Sequence, residues 1–112
     1  MTTPADFPLD LYRGDSGRWR FKFWSGSGPY DLTGVVAKSQ IRDRPGGTRI
    51  IDMLCEVTPP NIVDVALLAV DSMKLLPKGA WDLQFTYSSG DVMTLVAGAV
   101  TVTADVTDST PG

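Results

Sequence analysis

Arg18-Trp19-Arg20-Phe21-Lys22-Phe23 is the stretch that decides the fold. Trp19, Phe21 and Phe23 project to one side, and Arg18, Arg20 and Lys22 project to the other. Period-two alternation of this kind is what a half-buried β-strand requires, because successive side chains leave opposite faces of the pleat. Trp24 breaks the pattern: it follows the aromatic stripe but falls on the polar phase. An indole in that position is expected at the surface or at an interface, where Trp is enriched.

Working outward, the same alternation recurs at short intervals, separated by turn residues. Leu9-Asp10-Leu11-Tyr12 precedes the turn Arg13-Gly14-Asp15-Ser16-Gly17. After a Ser/Gly turn at residues 25–29 and the segment Tyr30-Asp31-Leu32-Thr33-Gly34, residues 35–43 place Val35, Ala37 and Ile41 against Lys38, Gln40 and Arg42. Arg44-Pro45-Gly46-Gly47 then reads as a hairpin turn, since Pro presets one turn dihedral and Gly supplies a positive φ. Its return strand, residues 48–57, alternates Ile51, Met53, Cys55 and Val57 with Asp52 and Glu56. Thr58-Pro59-Pro60-Asn61 ends that strand and residues 62–67 resume β alternation. Residues 70–76 predict one short helical turn, with Asp71 as its cap and Pro77 as its stop.

Residues 79–87 predict a strand with Trp81, Leu83, Phe85 and Tyr87 inward. A turn at Ser88-Ser89-Gly90-Asp91 leads to two closing strands, residues 92–96 and 99–106, the second with Val100, Val102, Ala104 and Val106 inward. Seven to eight short strands with almost no helix predict an all-β, immunoglobulin-like two-sheet β-sandwich. The chain's 112 residues make one domain, with residues 1–7 and 107–112 expected as flexible or partner-ordered tails. Sandwich sheets have edge strands, and edges attract pairing from other chains.

Composition narrows the function classes. Hydrophobic residues make up 43% and charged residues 21% of the chain, ordinary values for a folded domain. There is no histidine, so the commonest general base and metal ligand are missing, and with them every Ser-His-Asp or Cys-His arrangement. Cys55 is the one cysteine, which excludes an internal disulfide and a cysteine-spaced zinc site; its inward phase marks it as a small core residue. No pair of carboxylates stands out for acid–base work. The expectation is therefore no catalytic residue, no cofactor and no enzyme.

The net charge of −3 predicts no general affinity for nucleic acid. The aromatic and cationic residues of 18–23 also lie on opposite faces, whereas a base-stacking platform needs both on one surface. No apolar run approaches the roughly 20 residues of a membrane span, and the first residues lack a secretory signal, so the expectation is synthesis in a cytoplasm. The charges are uneven: residues 1–56 carry eight Lys/Arg and seven Asp/Glu, residues 57–112 two and six. Either the early strands have a solvated polar face, or they present a docking surface for an acidic partner. The candidate interface residues are Arg18, Arg20, Lys22, Trp24 and Arg42. Arg13-Gly14-Asp15 spells a receptor-binding tripeptide but reads as a turn. Asp15, Asp31 and Asp43 match no calcium-loop spacing, so no metal site is predicted.

Three stretches carry a resemblance. Leu11-Tyr12-Arg13-Gly14-Asp15-Ser16, Phe21-Lys22-Phe23 and Tyr30-Asp31-Leu32-Thr33-Gly34, followed by Gln40-Ile41-Arg42, resemble the N-terminal β-sandwich of phage baseplate upper proteins and related small tail-associated proteins. Leu76-Pro77-Lys78-Gly79-Ala80-Trp81-Asp82-Leu83-Gln84 and residues 100–107 look like segments of small siphophage virion proteins. The resemblance implies a virion structural protein made in the host cytoplasm, a tail or baseplate adaptor or accessory subunit that contacts other virion proteins in several copies. A capsid decoration protein is the alternative, and a carbohydrate- or cell-surface-binding module a third. The matching motifs are turns and strands, and carry no catalytic residue with them.

Overall fold

Apolar residues at alternate positions fold here into strands with one dry face each. The computed structural model describes residues 4–25 and 28–103. In chain order the strands are β1 (Ala5–Asp6), β2 (Leu9–Tyr12), β3 (Gly17–Lys22), β4 (Trp24–Ser25), β5 (Gly28–Pro29), β6 (Val36–Arg42), β7 (Arg49–Thr58) and β8 (Ile62–Leu67). After the short helix α1 (Ala69–Ser72) come β9 (Lys78–Thr86) and β10 (Val92–Thr103). Eight strands form one sheet in the order β1-β10-β9-β6-β7-β8-β3, with β2 also on β10; β4 and β5 pair as a separate ribbon.

The sheet folds over along β7. Residues 49–53 of that strand pair with β6, placing Ile51 opposite Ile41 and Met53 opposite Ser39. Residues 54–58 pair instead with β8, placing Cys55 opposite Val65 and Val57 opposite Val63. One layer is thus β3-β8-β7 and the other β7-β6-β9-β10, the pairing scheme of the two sheets in an immunoglobulin-type domain. The opening strands β1 and β2 run parallel to β10 and extend its layer. Hydrogen bonding is continuous through β7, so the two layers are halves of one folded sheet.

Ring contacts show the layers facing each other, although β3 and β9 are far apart in the strand order. Phe21 lies 5.8 Å from Trp81 and Phe23 lies 5.1 Å edge-on to Phe85, centroid to centroid. Between them Val63, Val65, Leu83 and Phe85 are completely buried. This core holds by packing alone, with Cys55 free.

The structure differs from the sequence expectations in three segments of the backbone. The expected N-terminal tail does not extend through residue 7: Ala5 and Asp6 pair with Val96 and Ala97, because β10 has an open edge that a short extended segment can satisfy. The two closing strands are one, β10, which runs through the expected gap at residues 97–98, where Ala97 and Gly98 pair with Asp82 and Trp81; its register slips earlier, between Thr94 and Val96, at a bulge that resets the phase without ending the strand. Helix α1 covers only Ala69–Ser72, and its N-cap is Leu68 with no side-chain cap bond, so Asp71 does not cap it. Asp71 instead meets Lys74 at 3.4 Å. Trp19 and Phe21 take the inward side as expected and pack against the core, each half-buried because β3 has a strand neighbour on one side only among the described residues. The expected turn residues Gly26 and Ser27, the inward Ala104 and Val106, and the tail at 107–112 lie outside the described residues.

The hairpin after β6 follows its chemistry. Gly46 adopts φ +70°, Gly47 N–H donates to the Arg44 carbonyl at 2.9 Å, and Thr48 N–H donates to Asp43 Oδ1 at 2.8 Å. Asp31 does the same for its own turn, accepting from Thr33 N–H at 3.0 Å. These two aspartates are thus occupied by local backbone, as their turn positions suggest.

Candidate functional site

The outward face of the β3-β8-β7 layer is a grid set by register. Arg18 stands opposite Ala66, Arg20 opposite Asp64 and Lys22 opposite Ile62; across β8 these rows continue to Leu54, Glu56 and Thr58. Arg18, Arg20 and Lys22 are therefore brought together, exposed, on a strand whose second edge pairs with no strand among the described residues. Arg20 makes the salt bridge of this face. Its Nε and Nη2 donate to Asp64 Oδ1 and Oδ2 at 2.8 and 3.2 Å, a two-point bond that holds Asp64 below the usual carboxylate range. Among the described residues Arg18 and Lys22 make no ion pair, although the Arg18 charge also acts on Asp64.

Trp24 is placed by what precedes it. Phe23 turns inward onto Phe85, and its backbone is clamped by Asn61, which is buried. Phe23 N–H donates to the Asn61 carbonyl at 3.0 Å and Asn61 Nδ2 donates back to the Phe23 carbonyl at 3.1 Å. With Phe23 fixed inward, strand alternation sends Trp24 outward, where it pairs with Pro29 in the β4–β5 ribbon and is 65% exposed. The expected surface position of Trp24 is what the fold produces.

Arg42 does not join this group. It lies at the end of β6 in the other layer and is half-buried, contrary to the expectation of an exposed docking cation. Its Nη1 donates to the Gly47 carbonyl at 2.8 Å and its Nη2 to Gln40 Oε1 at 2.7 Å, so its charge braces the β6–β7 hairpin.

A second surface was not legible in the sequence. The connection from β8 to β9 exposes Leu68, Val70, Met73 and Leu76, all large and apolar, within one short segment. Tyr12, 51% exposed, belongs to the adjoining end of β2. The Arg-Gly-Asp turn packs against this connection: Gly14 N–H donates to Ser72 Oγ at 2.8 Å and Arg13 Nη2 to the Leu75 carbonyl at 3.2 Å. The tripeptide is thereby built into the fold as a turn. The signal for the patch was the density of apolar residues from 65 to 76, but only the tertiary structure separates its buried members, Leu67 and Leu75, from the exposed ones.

Among the described residues no group of three or more His, Cys, Asp or Glu is placed to hold a metal ion. Among the same residues no helix is long and apolar enough to cross a membrane. Cys55 is half-buried, and burial pushes its thiol up to about 11.

No family model matches the sequence, and no curated protein matches it. Solved structures resemble it in fold. The SrpA adhesin from Streptococcus sanguinis is 17% identical, with 100% of this chain and 64% of that chain covered and a TM-score of 0.50. The N-terminal Ig1-2 module of the Drosophila receptor protein tyrosine phosphatase DLAR is 12% identical, covering 99% of this chain and 50% of that one, TM-score 0.49. CopC from Methylosinus trichosporium is 12% identical, covering 91% and 86%, TM-score 0.48. The chain thus spans about half to two thirds of the adhesin and receptor chains it resembles. At these identities the likeness is one of fold.

Proposed function

We propose that this chain is a structural subunit of a tailed-phage particle, an adaptor or accessory component of the tail or baseplate that docks protein surfaces and catalyses no reaction. The observation that supports a docking role best is Trp24, a large indole turned to solvent by the Asn61 clamp beside the unpaired edge of β3. Exposed Trp and Arg are the residue types that dominate protein interfaces. Exposed Arg18 and Lys22 next to it, without a salt bridge among the described residues, suit an acidic partner surface. The virion setting comes from the resemblance of the Gly-Asp, Asp-Leu-Thr-Gly and Trp-Asp-Leu-Gln segments.

The test is mass spectrometry and cryo-electron microscopy of purified particles of the phage that encodes the chain. Density for the domain at the tail or baseplate is the expected result. Density on the shell exterior would move it to the decoration class, and its absence from particles would overturn the structural reading. Trp24→Ala should lower incorporation while the isolated domain stays folded, and docking should weaken as ionic strength rises, because exposed charges are screened.

A further inference from the structure

On the layer opposite β3, the solvent side of β9 and β10 holds a trough of about 510 Å³. Sheet surfaces facing water are normally covered by long polar side chains, but here Ala97 and Ala99, with the buried Ala80 beside them, are all alanine. Their methyls form a low apolar floor. The β6–β7 hairpin, through Pro45, makes one wall, and the N-terminal segment, through Pro4 and Asp6, makes the other. The volume lies within the range of ligand-binding clefts.

The charge in the trough is unbalanced. Asp82 is half-buried there, and burial raises its pKa against the opposing pull of Arg42. Among the described residues the Asp82 carboxylate has no hydrogen bond or salt bridge; Arg42, which also lines the trough and pulls on its charge, is committed to the Gly47 carbonyl and Gln40. Asp82 pairs in register with Ala97, and Ala97 with Asp6, so the two carboxylates flank one methyl from two strands apart. At about 4.8 Å per strand spacing, their backbones are roughly 10 Å apart. One cation seated over Ala97 lies between both. A half-buried carboxylate without a donor is a costly arrangement that a cationic partner relieves.

We infer that this trough receives a lysine side chain from an extended segment of a partner protein, the ammonium between Asp82 and Asp6 and the aliphatic stem along the alanine floor. Lysine buries its methylenes against apolar surface while its head keeps polar company, which is the pairing this trough supplies. A bare metal ion is not the match, since only two carboxylates converge. The site is separate from the β3 face and independent of the virion setting.

The test uses the purified full-length chain and two capped nonapeptides of Gly, Ser and Ala, one with a central lysine and one with norleucine, which keeps the stem and drops the charge. Amide chemical shifts of Ala80, Ala97 and Ala99 should move with the lysine peptide, while those of Arg18 and Lys22 stay still. Affinity should fall about tenfold or more with norleucine, and likewise for Asp82→Asn, a loss equivalent to about 1.4 kcal/mol. Ala97→Leu, which fills the floor without touching charge, should abolish the shifts. Equal binding of both peptides, unchanged binding to Asp82→Asn or to Ala97→Leu, or shifts spread over the whole surface would each overturn the inference.

Discussion

The indole nitrogen of Trp81 donates to the carbonyl oxygen of Phe7 across 2.7 Å, and this bond fastens the N-terminal segment to the core. Phe7 also lies edge-on to Phe21, 5.2 Å between centroids, and Phe21 lies against Trp81. The three rings join β3, β9 and the segment between β1 and β2. Trp81→Phe keeps an aromatic ring and removes the donor, leaving the Phe7 carbonyl without its partner. The expected loss is about 1–3 kcal/mol in urea denaturation.

Gly98 makes the same junction sterically necessary. A Cβ at that position would collide with the Phe7 carbonyl oxygen and sit 3.0 Å from Pro8 N. Gly98→Ala must push the chain at Phe7 away from β10, so about 1–3 kcal/mol of stability should be lost. Hydrogen exchange should report the cause, with Ala5 and Asp6 amides losing protection well before those of β9.

Stability should depend on pH through carboxylates of opposite sense. Asp64 is held low by the Arg20 hydrogen bond and Asp31 by Thr33. The stability they lend is complete above the unfolded carboxylate value of about 3.9 and is lost as pH falls through their lower folded values. Asp82 is raised by burial, so its ionised form opposes folding, and protonation as pH falls through its raised value is stabilising. In thermal melts Asp64→Asn should therefore lower the midpoint at pH 7 but not at pH 2, and Asp82→Asn should raise it at pH 7. A raised midpoint in Asp82→Asn is the usual mark of a position kept for binding at the expense of stability.

Cys55 should be inert in the folded protein. Its thiol, pushed up to about 11 by burial, has almost no thiolate at pH 8. An aromatic disulfide reagent should react with it much more slowly in buffer than in denaturant, and a rapid native reaction would show that β7 opens locally.

The apolar connection around α1 should matter to assembly more than to folding. Val70 is 67% exposed, so Val70→Ser should shift the unfolding free energy by no more than about 0.5 kcal/mol.

Much of this fold was legible because alternation is a local property. Residues 18–23, 35–43, 62–67 and 79–87 each carry period-two signals strong enough to mark a strand, and each is one or nearly one. The position of Trp24 was legible for the same reason, as a phase error in an otherwise regular strand. Local composition also misled. The small residues Ala97-Gly98 read in sequence as a gap between two strands, yet both pair with β9, and the one irregularity lies earlier, between Thr94 and Val96.

What the sequence determined by itself was the all-β class, the inward and outward face of most strands, and the lack of histidine and of a second cysteine. What only the tertiary structure decided was which strands are neighbours. Pairing of β1 with β10, the fold-over along β7, the separation of Arg42 from Arg18, Arg20 and Lys22, and the meeting of Asp82 with Asp6 across Ala97 all depend on register between segments distant in the chain. Side-chain alternation fixes a face, but hydrogen-bond register between strands fixes a neighbour, and no single strand contains that information.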